Sequence, residues 1–366
     1  MKRVLYVLCL VVLCLVLASC SLAPFNFNQA KENSKEASDG NNQFSSNPGD
    51  QQAIKEINAI LKQENFKGTL YIKNHNKVLM NEAVGEKNYK GEQLGTESMF
   101  LIGSSQKFLT GIIVKKLEDK GLIDRNQLVS FYLPQFYGMN MTIKNLLMHR
   151  SGLMPYRMTK KYRGLDATVN TIAENGMNLS LYNTYHYNDA NYIVLAKVIE
   201  QVTQKTYKEN VYQYIINPLK LKRTGFYDDK LLQPFFAEGY RTKFMMKTPI
   251  KPFGLDQFDG AGNIYMSAAD MVTLADAFYH NQLFSSQETN LMKTSIDDNV
   301  QPYRYGFNVK KNYLRLRGYF FNQEVICWFN NNLTIAMATN IAKPSKTKNN
   351  EQSVLKIYNI LTHNKR

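Results

Sequence analysis

Residues 99–120 read MFLIGSSQKFLTGIIVKKLEDK, and the rest of the chain is organised around them. An apolar lead-in ends at Gly103-Ser104. Phe108, Leu109, Ile112, Ile113 and Leu117 then recur at helical spacing, and Gly121 stands where a helix stop is expected. Ser104 therefore opens an amphipathic helix, with Lys107 on the same face and within hydrogen-bonding reach. A lysine amine shielded from water loses proton affinity, so Lys107 is expected to be neutral and to serve as base for the Ser104 hydroxyl. Free backbone N–H groups at the helix start suit an oxyanion. The spacing alone does not decide. Ser-x-x-Lys recurs at Ser345–Lys348 and Ser353–Lys356, and a serine at a helix start is most often a plain N-cap. Only Ser104 both follows a buried-looking segment and opens a long helix.

At 366 residues, 44% of them hydrophobic, the chain can build a sizeable core. Residues 1–19 read as a signal peptide: Lys2 and Arg3 precede an apolar run, Val4 to Ala18, that is short for a spanning helix. Leu17-Ala18-Ser19-Cys20 matches a bacterial lipobox, so Cys20 is expected to carry lipid and to hold the protein on the outer face of the cytoplasmic membrane. Cys9 and Cys14 leave with the signal, so the folded part keeps only Cys327 and no disulfide. Residues 20–51, rich in Asn, Ser, Gln and Lys, read as a flexible tether, and 52–366 as the folded domain. The net charge of +15 favours a polyanionic surface nearby: lipid headgroups or wall polymers rather than nucleic acid.

Along the domain, Ala53–Gln63 has a helical face, and Gly68–Gly85 alternates around Asn74-His75-Asn76 as a hairpin does. Thr142–Leu153 reads as a short helix and a turn in which His149 and Ser151 play a local structural role. Residues 157–185 read as a helical insertion over the site. Asp189 precedes a helix to Val202 and is placed to cap it; Tyr187 and Asp189 can both project into a cleft. Gly260-Ala261-Gly262 implies close backbone packing and lacks the third glycine of a dinucleotide loop. Ser267 opens another helix. Tyr303–Val309, Tyr313–Gly318, Glu324–Phe329 and Leu333–Asn340 read as strands, before a final helix carrying Val354, Ile357, Tyr358 and Leu361. The pattern is α+β. The five histidines form no metal-ligand cluster, and neither metal nor cofactor is expected.

Ser104-x-x-Lys107, then Tyr187-x-Asp189, then a late strand ending at Gly318 resembles the serine β-lactamase and penicillin-binding-protein superfamily, in its class C branch. LLMHRSGL and GAGNIYMSAADM are similar to that branch as well. MFLIGSSQKF, YNDANYIVLAKVIE and YRYGF look most like its members that remove D-alanine esters from teichoic acids. The resemblance implies an antiparallel sheet flanked by helices plus an all-helical region, with the active site between them. It implies Ser104 as nucleophile, Lys107 as proton acceptor and Tyr187 as proton relay to the leaving oxygen. The backbone N–H groups of Ser104 and Tyr319 would form the oxyanion hole.

Two positions depart from the wider family. Asp189 stands where an asparagine is usual. Leu316, two before Gly318, stands where a lysine or histidine would hold a substrate carboxylate. Arg315 and Arg317 flank it, but alternation along a strand turns both away from the side shared by Leu316 and Gly318. A D-alanyl ester has no carboxylate and carries an ammonium that Asp189 can pair with. The expected function is therefore a lipid-tethered hydrolase of D-alanyl esters on teichoic acid, with Asp189, Leu316 and Gly318 at the substrate. The alternatives are a D,D-carboxypeptidase acting on peptidoglycan and a non-catalytic wall-binding homologue; the oligomeric state is open.

Overall fold

The computed structural model describes residues 47–294, 302–342 and 350–363. The signal peptide, Cys20, nearly all of the tether and the Ser345–Lys348 pair lie outside the described residues. Asn47 caps the first helix, α1 (Pro48–Gln63), its side chain accepting from Gly49 N at 3.0 Å. The helix begins earlier than expected, so Pro48–Gln51 belong to it and not to the tether.

Seven strands form the main sheet: β1 (Gly68–Asn74), β2 (Lys77–Val84), β3 (Tyr303–Arg304), β4 (Phe307–Val309), β5 (Leu314–Phe320), β6 (Gln323–Phe329) and β7 (Leu333–Thr339). Their order is β2-β1-β7-β6-β5-β4-β3, with every pairing antiparallel. The expected strand Tyr303–Val309 is thus two strands. Tyr305 and Gly306, both at positive φ, turn the chain between them. A Cβ on Gly306 would lie 2.1 Å from the Lys107 carbonyl carbon, so only glycine lets this turn press against the serine helix.

Side-chain alternation gives the sheet two apolar faces. From β6, Ile326 and Trp328 face a core with Ile57 of α1 and with Val354 and Ile357 of the last helix. Val325, Cys327 and Phe329 face the opposite, larger core. That core packs against the helix after the serine, α2 (Gln106–Asp119), the helix after Asp189, α3 (Ala190–Thr203), and the helix opened by Ser267, α4 (Ala268–Tyr279). The last helix, α5 (Asn350–His363), completes the opposite face. Residues 157–185 hold one helix, Gly164–Asn175, and a single turn at Leu179–Leu181.

The helix α2 is not amphipathic. Every residue from Gln106 to Lys115 is buried, because the sheet covers one side and helices the rest. Its polar residues therefore need partners inside the protein. Gln106 finds them in the glycine segment: its Oε1 accepts from Asn263 N at 2.6 Å and Ile264 N at 2.9 Å, and its Nε2 donates to Asn263 Oδ1 at 2.9 Å. Lys107 finds its partners at the site.

Candidate active site

Ser104 is not a helix cap. It lies in a single 3₁₀ turn, Gly103–Ser105, ahead of α2, and its Oγ accepts two hydrogen bonds. One comes from Lys107 Nζ at 3.1 Å and the other from Tyr187 Oη at 2.7 Å. Residues 83 positions apart in sequence thus meet at one oxygen.

The Lys107 side chain is 0% exposed, and its amine donates in three directions: to Ser104 Oγ, to Asp189 Oδ1 at 2.7 Å and to Ala261 O at 3.2 Å. Three donors with three acceptors is the geometry of an ammonium. Burial pulls the lysine's proton affinity down, but the Asp189 carboxylate and the Tyr187 oxygen outweigh it and hold it above its ordinary value. In the unliganded protein the pair therefore favours the ammonium, against the burial that favours a neutral amine. Burial acts as anticipated, and a counter-charge that sequence spacing does not reveal overrides it.

Asp189 is free for this pairing because it does not cap α3. Its side chain makes no cap bond, and Asn188 Oδ1 takes Ala190 N at 3.0 Å. The Asp189 carboxylate is 41% exposed, so one end of the ion pair is sealed and the other opens to solvent.

Tyr187 is held from below by His149. Their rings lie 4.3 Å apart between centroids. The His149 Nδ1 accepts from Asn188 N at 3.3 Å and lies 2.9 Å from Asn191 Nδ2. Burial, and then the Lys107 charge, push its imidazole well below the usual range, so it is neutral. Ser151 Oγ donates to Asn191 Oδ1 at 2.5 Å. The role of His149 and Ser151 is structural, as expected, but not local: they fix a segment about 40 residues on.

The third motif approaches Ser104 through its backbone. Beyond Arg315, β5 has no strand partner on its β4 side among the described residues, and the turn 103–105 packs against it. A Cβ on Gly318 would lie 1.7 Å from Ile102 O and 2.8 Å from Ser105 N. Tyr319 N would lie 3.1 Å from a Cβ on Gly103, so the Tyr319 amide adjoins the serine turn. The register pairs Leu316 with Cys327 and Gly318 with Val325. Leu316 is 1% exposed within the larger core and Gly318 is buried against the serine turn, so the substrate contacts expected of both are corrected: of the three residues expected at the substrate, only Asp189 opens to solvent. Arg315 and Arg317 turn to the other face. Arg315 pairs with Glu351, and Arg317 Nε donates to Glu324 Oε1 at 2.8 Å.

Several contributors escaped the sequence reading: the Gln106 clamp, Asn188 and Asn191, and Tyr303, whose ring lies 5.9 Å from that of Tyr187. The YRYGF segment carried a signal for the turn at Gly306, since a glycine inside a strand pattern marks a bend. Among the described residues, no group of acidic, histidine and cysteine side chains is arranged to hold a metal ion.

A sealed Ser–Lys pair reached by a tyrosine, between an antiparallel sheet and a helical region, defines a serine hydrolase of the penicillin-recognising kind. Residues 53–358 match the β-lactamase family model, and the chain belongs to that family. It is 39% identical to the teichoic acid D-alanine hydrolase of Staphylococcus aureus strain MRSA252 over 316 residues, which is 85% of this chain and 78% of that one. The crystal structure of FmtA from Staphylococcus aureus superposes with a TM-score of 0.81 at 37% identity, covering 86% of this chain and 88% of that one. The D-amino acid amidase of Ochrobactrum anthropi SV3 shares the fold at 16% identity, with a TM-score of 0.75 over 86% of this chain and 100% of its own.

Proposed function

We propose that this enzyme hydrolyses D-alanyl esters of teichoic acid at the cell envelope, through an acyl-enzyme on Ser104. The observation that carries the reading is the half-open Lys107–Asp189 pair beside Ser104 Oγ. The identity with the D-alanine hydrolase supports the substrate class. So does the absence of a cation at position 316, with Arg315 and Arg317 engaged on the far face of the sheet.

The chemistry follows from the charges. The ammonium of a D-alanyl ester pairs with the exposed edge of Asp189 and draws its charge away from Lys107. Burial then prevails, and Lys107 releases a proton to water by way of the exposed Tyr187 hydroxyl. The neutral amine takes the Ser104 proton as Oγ bonds to the ester carbonyl carbon. The backbone N–H groups of Ser104 and Tyr319 receive the oxyanion, at about 3 kcal/mol each toward the barrier. Tyr187 hands its proton to the departing polymer oxygen as the ester bond breaks, and Lys107 passes the serine proton on to Tyr187, leaving both neutral in the acyl-enzyme. Water then cleaves the acyl-enzyme, releasing D-alanine and restoring Ser104.

The purified protein should release D-alanine from D-alanylated teichoic acid. It should cleave a free-amine D-alanyl ester faster than its N-acetylated counterpart by about 1–3 kcal/mol in barrier, the range for a partly desolvated charge pair. Preferential cleavage of a peptide ending in D-Ala-D-Ala would overturn the reading and restore the carboxypeptidase.

A further inference from the structure

Away from the site, residues 240–249 form a two-stranded hairpin, with Tyr240–Lys243 paired to Met246–Pro249. Its two-residue turn is Phe244-Met245, both at positive φ. Two other turns of this kind, His75-Asn76 and Phe321-Asn322, put asparagine second, the residue that tolerates that backbone. Here two bulky side chains occupy it at a conformational cost. Burial repays almost none of it: Phe244, Met245 and Met246 are 87%, 94% and 74% exposed. The collar below the tip is basic. Arg241, Lys243, Lys247 and Lys251 all lie between Gly239 and Leu255, a stretch with no acidic residue. Lys247 also reaches Glu86, and Lys243 Nζ sits 5.3 Å over the Phe244 ring.

The stem is fixed. Asn322 Nδ2 donates to Tyr240 O at 2.8 Å, Ile250 N to Gly239 O at 2.7 Å, and a Cβ on Gly239 would meet Phe321 O at 2.0 Å. The hairpin therefore stands on the turn that directly follows Tyr319 and Phe320.

We propose that this hairpin is a finger for an anionic lipid surface. Phe244, Met245 and Met246 enter the boundary between headgroups and acyl chains, and the basic collar meets the headgroups. A small apolar tip over lysines whose stems can lie along the interface is the composition such a surface selects. A second copy of the chain is disfavoured, because two basic collars repel. Three side chains also fall far short of the ~800 Å² per partner that a stable protein interface buries. Four residues of strand reach about 13 Å, so insertion would keep the Tyr319 edge close to the membrane.

The test uses the full 366-residue chain carrying Met245→Trp, against a background of one tryptophan, Trp328, which is buried. In phosphatidylglycerol vesicles with brominated acyl chains, emission from the introduced indole should shift to the blue and fall by at least half. A Tyr137→Trp reporter, at an exposed position elsewhere, should do neither. Lys243→Glu with Lys247→Glu should reverse the quenching, and hydrolysis of a soluble ester should stay within twofold. Unchanged emission from the Met245→Trp chain would overturn the proposal, as would equal quenching in purely zwitterionic vesicles. So would self-association of the parent chain in sedimentation that Phe244→Ser/Met245→Ser/Met246→Ser abolishes.

Discussion

Two Ser-x-x-Lys pairs among the described residues share a spacing and nothing else. At Ser104–Lys107 the lysine is sealed, and its amine touches the serine oxygen. At Ser353–Lys356, in α5, the serine is buried while the lysine turns to the surface and pairs with Glu64 at 2.6 Å. Helical geometry brings both pairs onto one face. What separates them is the lysine's own surroundings: a fully buried amine with three fixed acceptors in one case, an amine open to water with a carboxylate beside it in the other. Chemistry at this motif belongs to the neighbours rather than the spacing.

The largest test of that contrast is removal of the hydroxyls. Ser104→Ala should lower ester turnover by at least about a thousandfold, since the nucleophile acts as a unit with its partners. It should also abolish covalent labelling by an activated ester. Ser353→Ala should leave both as they are, and labelling that follows Ser353 would invert the comparison.

Tyr187→Phe removes the only hydroxyl hydrogen-bonded to Ser104 Oγ among the described contacts and should cost about a hundredfold in kcat/KM. Circular dichroism should be unchanged, because the ring stays packed on His149. An intact rate would remove Tyr187 from the proton path.

The charge on Lys107 is tested by pH. Asp189 is the principal group raising its proton affinity, and burial lowers it. Asp189→Asn removes the first and leaves the second, so the amine should deprotonate at lower pH. The acidic limb of kcat/KM, which reports the free enzyme, should move toward acid, while the free-amine preference narrows. A limb that moves toward alkaline pH would contradict the ion pair's role.

Smaller effects bear on how the first pair is sealed. Gly318→Ala must displace Ile102 O or Ser105 N and should cost ~1–3 kcal/mol, seen as a lower Tm. Gly95→Ala meets nothing within 4 Å and should leave Tm in place. Least of all, Lys356→Gln should change stability by under about 1 kcal/mol, as exposed ion pairs do.

Much of this was legible in the residues, because periodicity reports burial. The alternation of Gly68–Gly85 and the apolar spacing in α1, α3 and α5 mark elements that the fold contains. The order of Ser104, Lys107, Tyr187 and Asp189 marked four side chains that hydrogen bonds join into one chain. Three things were not legible, each depending on contacts between distant segments. The burial of α2 on all sides needs the sheet and the helical region together. The charge state of Lys107 needs Asp189, 82 residues away. The glycine signals a bend at Tyr305-Gly306, but the close approach that requires it is seen only with the Lys107 backbone against it.

The sheet joins β1, near the beginning of the domain, to β7, near its end, with β5 and β6 beside them. A chain delivered from its N-terminus presents β1 long before the partner strand emerges. Such remote pairings fold slowly, since a long loop must close before any contact rewards it. The strand that carries Gly318 and Tyr319 emerges only after both helices of the site, and β6 and β7, which tie it to β1, come later still. The polypeptide is consequently a hydrolase with no assembled centre for most of its delivery: the nucleophile gains its surroundings only once almost the whole chain is present.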